Sequence, residues 1–440
     1  MLNKKFEKST AKKVPSSRLS RISHFGGLAA KIAGNVLVNS AKELSKGNRP
    51  NTKSLLLSTS NVEQLANKLS ELRGAAMKLG QMISMDAGEL MPPELSALLA
   101  KLRSNASPML HKQLVAILKQ HWGDTWVDNF SSFDLRPFAA ASIGQVHQAH
   151  LAKGQKLAIK VQYPGVKESI ASDIDNVAAV LKLSGLLPKH ISIDDLLEEA
   201  KQQLQDEADY RLEAQYIKNY QSHINSEHFQ LPEVISELSS EAVLVMHFVE
   251  GIELEETITL PQTERNYIVQ ILIQLFLQEL FDFKLMQTDP NLANFIYQPT
   301  TQKVGLLDFG ATRVIPPNIS QGYKALIKAG LSGNKEQMVD AARTIGFFNE
   351  EINEDYLADV LQIFELACQP LKFEGEYDFG SSKIATQIKD KGLALNRKKS
   401  EWHTPPIDAL FIHRKLAGLY LIAAKLNARV DVKKLLEPYL

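Results

Sequence analysis

A single cysteine, Cys368, stands in 440 residues, so no intramolecular disulfide can staple the fold, and a reducing compartment suits the chain. Its ordinary use would be as a small core residue. Net charge is missing as well: 50 basic and 50 acidic residues cancel, and no whole-protein field attracts nucleic acid. Long unbroken apolar runs are also absent. The best one, Tyr267 to Met286, is interrupted by Gln270, Gln274, Gln278, Glu279, Asp282 and Lys284, which argues for a buried core helix rather than a membrane span. The basic start is not followed by the apolar core and small-residue cleavage site of a secretory signal, so the protein is expected to stay inside the cell.

What charge there is falls unevenly. The first fifty residues hold eleven Lys or Arg against two acids, Glu7 and Glu43. The first fifteen are polar and basic enough to be disordered. From Ser17 to Lys46 small and apolar residues alternate with Lys and Arg around Gly26–Gly34. That pattern fits an amphipathic helix on an anionic membrane surface, a soluble helix packed by its small residues, or an organellar targeting peptide. Gly47-Asn48-Arg49-Pro50 ends the segment as a linker. A clearer helix runs from about Asn61 to Met85, with Leu65, Leu69, Leu72, Ala76, Leu79 and Ile83 on one face. Gly74 and Gly80 inside it each cost about 1 kcal/mol relative to alanine, which points to close backbone packing against another element. A shorter helical stretch, Leu95 to Arg103, follows Pro92-Pro93.

The densest chemistry lies between Gln287 and Gly310. Asp289 and Asn294 have the D-x-x-x-x-N spacing of a kinase catalytic loop. Two short apolar strands, Phe295 to Tyr297 and Val304 to Leu307, flank a polar turn at Pro299 and lead into Asp308-Phe309-Gly310. Such a hairpin carries the chain out and back, so that Asn294 and Asp308 can face one metal-bound triphosphate while Asp289 points at the acceptor. The apolar helix before it stands where a kinase has the long helix leading into its catalytic loop. After Gly310 the chain runs through Ala311 to Pro317 into an apolar helix, without an A-P-E-like motif or room for a peptide-docking activation segment.

Upstream, Phe138 to Val161 reads as strand, turn, strand, hairpin at Lys153-Gly154-Gln155, and a third strand. Laid on the kinase phosphate loop G-x-G-x-x-G-x-V, Ala139 and Ala141 replace two glycines, while Gly144 and Val146 match. Alanine restricts the left-handed conformations that glycine permits, so this loop is expected to be stiffer and to hold phosphates differently. Lys160 stands at the lysine of V-A-I-K. An acidic helical segment, Ile193 to Asn219, offers Glu198, Glu199, Glu207 and Glu213 as its ion-pair partner, and spacing does not choose among them. Glu241 to Gly251 is an apolar strand running into a small-residue turn, where a hinge would hold adenine near Met246 and Phe248.

These residues resemble the UbiB-type (AarF-like) family of atypical kinases, in particular its coenzyme Q biosynthesis-associated branch. The resemblance extends from about Leu65 to the C-terminus. The K-x-G-Q motif is Lys78-Leu79-Gly80-Gln81, the alanine loop Ala139-Ala140-Ala141-Ser142, and K-x-Q-Y-P-G-V runs from Lys160 to Val166. E-x-D is Glu207-Ala208-Asp209, and the glutamate that pairs the lysine falls on Glu213. Gln287 to Asn291 (Q-T-D-P-N) and His413-Arg414-Lys415-Leu416 are similar to the coenzyme Q branch. Leu292 stands where that branch often has tryptophan, and the C-terminal transmembrane pair of longer bacterial members has no counterpart.

The resemblance implies an α+β, bilobal protein kinase-like fold with an N-terminal helical extension and a helical C-terminal lobe. Its parts would be a basic segment (1–50), a helical extension carrying K-x-G-Q (51–130), an N-lobe (131–248) and a C-lobe (249–440). It implies an enzyme that binds ATP and Mg2+, with ATPase-like activity supporting ubiquinone biosynthesis. Asp289, Lys160 and Glu213 would be catalytic and Asn294 and Asp308 would hold metal. Ala139, Ala140, Ala141, Ser142, Gly144, Val146, Lys160, Met246 and Phe248 would line the nucleotide. Lys78, Gln81, Glu207 and Asp209 would be regulatory, the helix with Lys78 and Gln81 packed over the cleft and Lys78 meeting Glu207 or Asp209. Expected partners are ATP, quinone-precursor lipids, quinone-biosynthesis proteins and a second copy of the chain, with no nucleic acid. The expected location is cytoplasmic or peripheral at an inner membrane, on the matrix side in a mitochondrion. The alternatives are a phosphotransferase for a small molecule or protein, and a nucleotide-binding scaffold without turnover.

Overall fold

The computed structural model describes residues 108–141, 143–184, 194–289, 291–348, 353–397 and 406–440, with Gly34, Val38, Ser40 and Ser45. The expected segment 1–50 as a whole, the Asn61 to Met85 helix with Lys78 and Gln81, the Leu95 to Arg103 stretch, Ser142 and Pro290 lie outside the described residues. In chain order the elements begin with α1 (His111–Trp122), β1 (Ser132–Phe133), β2 (Ala139–Ala140), β3 (Gly144–His150) and β4 (Lys156–Gln162). Helices α2 (Val166–Ser184), α3 (Asp194–Glu207) and α4 (Tyr210–His223) follow, then β5 (Phe229–Gln230), β6 (Val243–His247) and β7 (Ile252–Glu253). Next come α5 (Gln262–Gln278), β8 (Leu285–Gln287), β9 (Phe295–Gln298), β10 (Lys303–Leu306) and β11 (Thr312–Val314). The rest is helical in the main: α6 (Pro317–Ser332), α7 (Lys335–Ile345), α8 (Glu354–Ala367), α9 (Ile384–Arg397) and α10 (Ile407–Lys425).

The chain divides into two compact units. One comprises the chain up to Gln215 with Glu233–Phe248; the other comprises Tyr216–Pro232 with Val249–Leu440. The first is built on an antiparallel sheet in the order β1-β3-β4-β6, with β2 also paired to β3. Alternation decides its faces. Gln145, His147, Leu157, Ile159, Val161, Val243 and Val245 are buried on one face, whereas Val146, Gln148 and Ala158 on the other are only half-buried. The covered face takes its polar residues as a satisfied chain. Gln145 accepts from the Met109 N–H at 2.9 Å and its amide meets His147 Nε2 at 2.7 Å, while His147 Nδ1 lies 2.9 Å from the Asp134 carbonyl. These partners fit the neutral imidazole that donates from Nδ1, and burial holds its pKa down at about 4.

The second unit has a small sheet in the order β5-β10-β9-β7 and a separate ribbon of β8 and β11. Its centre is α5, which buries Ile268, Val269, Ile271, Leu272, Ile273, Leu275, Phe276 and Leu277. A helix apolar nearly all round belongs in a core, and among the described residues no helix is long and apolar enough to cross a membrane. A π-turn, Glu279–Phe283, ends it, and Lys284 in the left-handed region (φ 51°) reverses the chain into β8.

Candidate active site

In the first unit the sheet register puts Ala139, Val146, Lys160 and Met246 on the face opposite Gln145 and His147, the first two half-buried and the last two buried. Ala139 pairs with Val146, Val146 with Lys160, and Lys160 with Leu244, so one rung crosses four strands. Directly opposed residues share a face, and Ala158 opposite Met246 continues it two residues on. Phe248 lies beyond the strand end, its ring 3.9 Å from the Lys156 ammonium and 5.5 Å from Phe138. Ala139, Val146 and Ala158 on this face are small or branched and half-buried, and Met246 beside them is buried. Ala140 differs: it pairs with Gln145 and so belongs to the opposite face.

The loop at Ala141 is a tight reversal, closed by the Ala141 N–H donating to the Gly144 carbonyl at 3.0 Å. Gly144 is there for space. A Cβ on it would lie 2.4 Å from the Val161 carbonyl oxygen and 2.9 Å from the Tyr210 hydroxyl, closer than real carbon atoms approach.

Lys160 meets Glu213 through both carboxylate oxygens, at 2.7 and 2.8 Å. The side chains are 8% and 1% exposed. The four glutamates left open by type are therefore separated by the fold. Glu198, Glu199 and Glu207 belong to α3, which ends at Glu207, and Asp209 starts a new helix by accepting from the Arg211 and Leu212 N–H groups at 3.0 and 3.3 Å. In α4 the residues Tyr210, Glu213, Ile217 and Tyr220 recur at helical spacing and are all buried. Glu213 thus sits in a buried stripe one turn after the cap. Glu207 is buried and Asp209 is spent as the cap, with Lys167 4.0 Å away.

In the second unit the D-x-x-x-x-N loop is stapled at its base. Gln287 pairs with Thr312 across β8 and β11, and Thr288 donates both its N–H and its hydroxyl to the Ala311 carbonyl, at 2.9 and 2.7 Å. The β9–β10 hairpin pairs Phe295 with Leu306, and the Leu307 N–H donates to the Asn294 carbonyl at 3.0 Å. Asn294 and Asp308 therefore come together at the open end of that hairpin. Asn294 Nδ2 donates to Asp289 Oδ2 at 3.2 Å, which turns its Oδ1 the other way, and Asp308 Oδ1 accepts from the Gly310 N–H at 3.0 Å. One residue, Ala311, separates Gly310 from β11, and two more lead into α6. No activation segment intervenes.

Several residues of this unit carry more of the site than their sequence context announces. Arg414 Nη2 donates to Asp289 Oδ1 at 2.9 Å, with the side chains 10% and 21% exposed. Its neighbour Lys415 pairs with Glu279, and both are buried. Burial pulls the Lys415 ammonium below its ordinary pKa, with Glu279 opposing. Glu279 Oε1 accepts from the Tyr220 hydroxyl at 2.7 Å, and the same hydroxyl accepts from the Gln287 N–H at 2.6 Å. Tyr220 also meets the fully buried Phe309 ring edge to face at 4.9 Å. Gln287 Nε2 donates to the Asp289 carbonyl at 2.8 Å. The loop is held from behind by one buried network.

Residues 101–342 match the model of the ABC1 atypical kinase-like domain. The chain belongs to this family, the UbiB-type atypical kinases, and to its coenzyme Q branch. It is 35% identical to "Atypical kinase COQ8, mitochondrial" of Saccharomyces cerevisiae, over 96% of this chain and 85% of that protein. With "Atypical kinase COQ8B, mitochondrial" of Rattus norvegicus it shares 36% identity over 98% of this chain and 82% of the relative. The fold is also similar to that of Rv3197 from Mycobacterium tuberculosis, solved as a complex with erythromycin. The TM-score is 0.59 at 24% identity, covering 88% of this chain and 97% of that one. The kinase-like α+β fold expected from the motifs is the one observed.

Proposed function

We propose that the protein is an atypical kinase that binds magnesium-ATP and hydrolyses it in support of ubiquinone biosynthesis, working on lipid-linked precursors or on the proteins that handle them. The observation that carries the reading is the buried Lys160–Glu213 pair. Sequestering both charges is costly, and in kinase-like sites the ammonium so held meets the nucleotide's phosphates. The sheet face with half-buried Ala139, Val146 and Ala158, next to Met246 and Phe248, suits a flat heterocycle.

Magnesium fits the second unit by donor type. Asn294 offers an amide oxygen and Asp308 a carboxylate, hard donors that make an incomplete shell. This suits an ion that keeps waters and phosphate oxygens rather than one enclosed in a protein cage. When bound, magnesium would neutralise phosphate charge. In the second unit Asn294 and Asp308 would hold it and Asp289 would orient the attacking water and take its proton; in the first unit Lys160 is the residue for nucleotide phosphates. The direct passage from Gly310 through β11 into α6 leaves no platform for a peptide acceptor, which favours water or a small acceptor. The relatives are named as mitochondrial, and we place this protein in the same setting, peripheral to a membrane.

Asp308→Asn tests the reading. It should abolish the magnesium-dependent part of ATP binding while the circular dichroism spectrum and melting temperature stay within a few degrees of the parent. Unchanged magnesium-ATP affinity in that variant would refute the metal assignment.

A further inference from the structure

Phosphoryl transfer needs a fixed cation where negative charge gathers on the transferring group. The segment from Asp289 to Asn294 reads Asp-Pro-Asn-Leu-Ala-Asn and contains none. The cation at this place comes from α10, where Arg414 Nη2 lies 2.9 Å from Asp289 Oδ1. The contact is one-armed. Nε–H shares an edge of the guanidinium with Nη2, and that fork fits carboxylate or phosphate oxygens two at a time. Among the described residues the buried Nε has no hydrogen-bond partner. A buried donor without an acceptor is a standing penalty, and a second anionic oxygen on the same edge relieves it.

The mounting is rigid. His413 stacks on Phe347 at 5.4 Å and 14° and meets the Tyr323 hydroxyl at 2.9 Å, while Lys415 is buried against Glu279. Residues on both sides of Arg414 are therefore fixed, and its guanidinium is pre-positioned.

We propose that Arg414 is a further catalytic residue, an arginine supplied in cis whose Nε–Nη2 edge binds the transferring phosphoryl oxygens beside Asp289. The inference rests on the ATP-hydrolysis reading above. In the step, the bond from the terminal phosphorus to the bridging oxygen breaks as the bond to the water oxygen forms. The water proton passes to Asp289 and then to solvent, and ADP and inorganic phosphate leave. Arg414 contributes in the transition state, where charge on those oxygens shifts, and little to holding ATP.

The test compares full-length parent, Arg414→Ala and Arg414→Lys by phosphate release and by melting-temperature shift with magnesium-ADP, alone and with aluminium fluoride as a planar phosphoryl mimic. Arg414→Ala should lose on the order of a thousandfold in kcat with the KM for ATP within about threefold. It should keep the magnesium-ADP shift and lose the extra shift from aluminium fluoride. Dilute guanidinium should restore part of the rate, and methylammonium at equal concentration should not. Arg414→Lys keeps the charge but not the fork. It should fold and show the same loss of the extra shift, which decides the matter if the alanine variant fails to fold. Loss of the ADP shift along with the rate, or no guanidinium rescue, would make Arg414 a structural residue and overturn the proposal. Parent-like turnover in Arg414→Ala would overturn it while leaving ATP hydrolysis intact. A parent protein without magnesium-dependent phosphate release would instead sink the hydrolysis reading itself.

Discussion

Removing the Lys160–Glu213 pair one charge at a time, and then both together, separates its structural cost from its chemical use. The side chains are 8% and 1% exposed and joined at 2.7 and 2.8 Å. Lys160→Met takes the ammonium of this pair away from a buried carboxylate, and Glu213→Leu takes the carboxylate away from a buried ammonium. Breaking a buried pair in this way costs about 3–5 kcal/mol. With a urea m-value of about 2.5 kcal/mol/M the midpoint should fall by roughly 1 to 2 M. Replacing both partners by apolar side chains of similar volume removes the stranded charge, and stability should return to within about 1 kcal/mol of the parent. Trp122 and Trp126 belong to the same unit as the pair, so their fluorescence reports its unfolding. Magnesium-ATP binding, followed by calorimetry, should be lost in the double variant although its midpoint is restored. If the double variant is less stable than either single one, the two charges are not each other's principal partners. If it binds magnesium-ATP like the parent, the pair does not serve the nucleotide.

Two further outcomes follow from buried groups. His147 and His413 both stay neutral in the fold, with burial lowering each pKa to about 4 from the ordinary value of about 6.5. Their contribution is complete above about pH 6.5 and is lost as pH falls towards 4, because the unfolded chain takes up protons that the fold refuses. Each should account for up to about 3 kcal/mol of that loss, and His413→Leu should flatten the fall in urea midpoint between pH 6.5 and 4.5. Gly144→Ala should cost about 1–3 kcal/mol by overpacking, since its Cβ would press on the Val161 backbone. Because that displaces the reversal at Ala141, ATP affinity should fall more than the loss of stability alone explains; parent-like affinity would show that the reversal does not touch the nucleotide.

Local pattern carried the reading wherever the chemistry is local. The hairpin between Asn294 and Asp308 was expected as Phe295–Tyr297 and Val304–Leu307, and its strands run Phe295–Gln298 and Lys303–Leu306. The choice of Glu213 is not legible from residue type, because α3 ends at Glu207 and Asp209 caps a new helix, which resets the helical phase. It took a motif resemblance to single it out. In the sequence Arg414 and Lys415 stand out only as part of such a resemblance, without a role. Their partners lie 125 and 136 residues away, beyond the reach of any periodicity. A signal did exist. Lys415 falls between Ile412 and Leu419 in the buried stripe of α10, and Glu279 follows α5, which buries eight apolar side chains. A cation in one apolar stripe and a carboxylate beside another need each other, since neither can be buried alone.

That pairing also explains how α10 is tied to the loop bearing Asp289. A buried ion pair contributes little net stability compared with apolar side chains in the same space, so the Lys415–Glu279 contact is better read as a device for fixing register. Successive residues of a helix point about 100° apart, and His413, Arg414 and Lys415 consequently reach an aromatic cluster, Asp289 and Glu279 in turn. Rotating α10 by one residue would bury Arg414 or Leu416 against Glu279 and withdraw the guanidinium from Asp289. Apolar contacts alone would tolerate such a slip, whereas a stranded Glu279 carboxylate would not. Through Tyr220 the same carboxylate fixes the Gln287 N–H, and through that strand it fixes the start of the loop bearing Asp289. The helix that carries Arg414 and the loop that bears Asp289 are thus both held by the Glu279 carboxylate, which is the precision that the arginine proposed above would require.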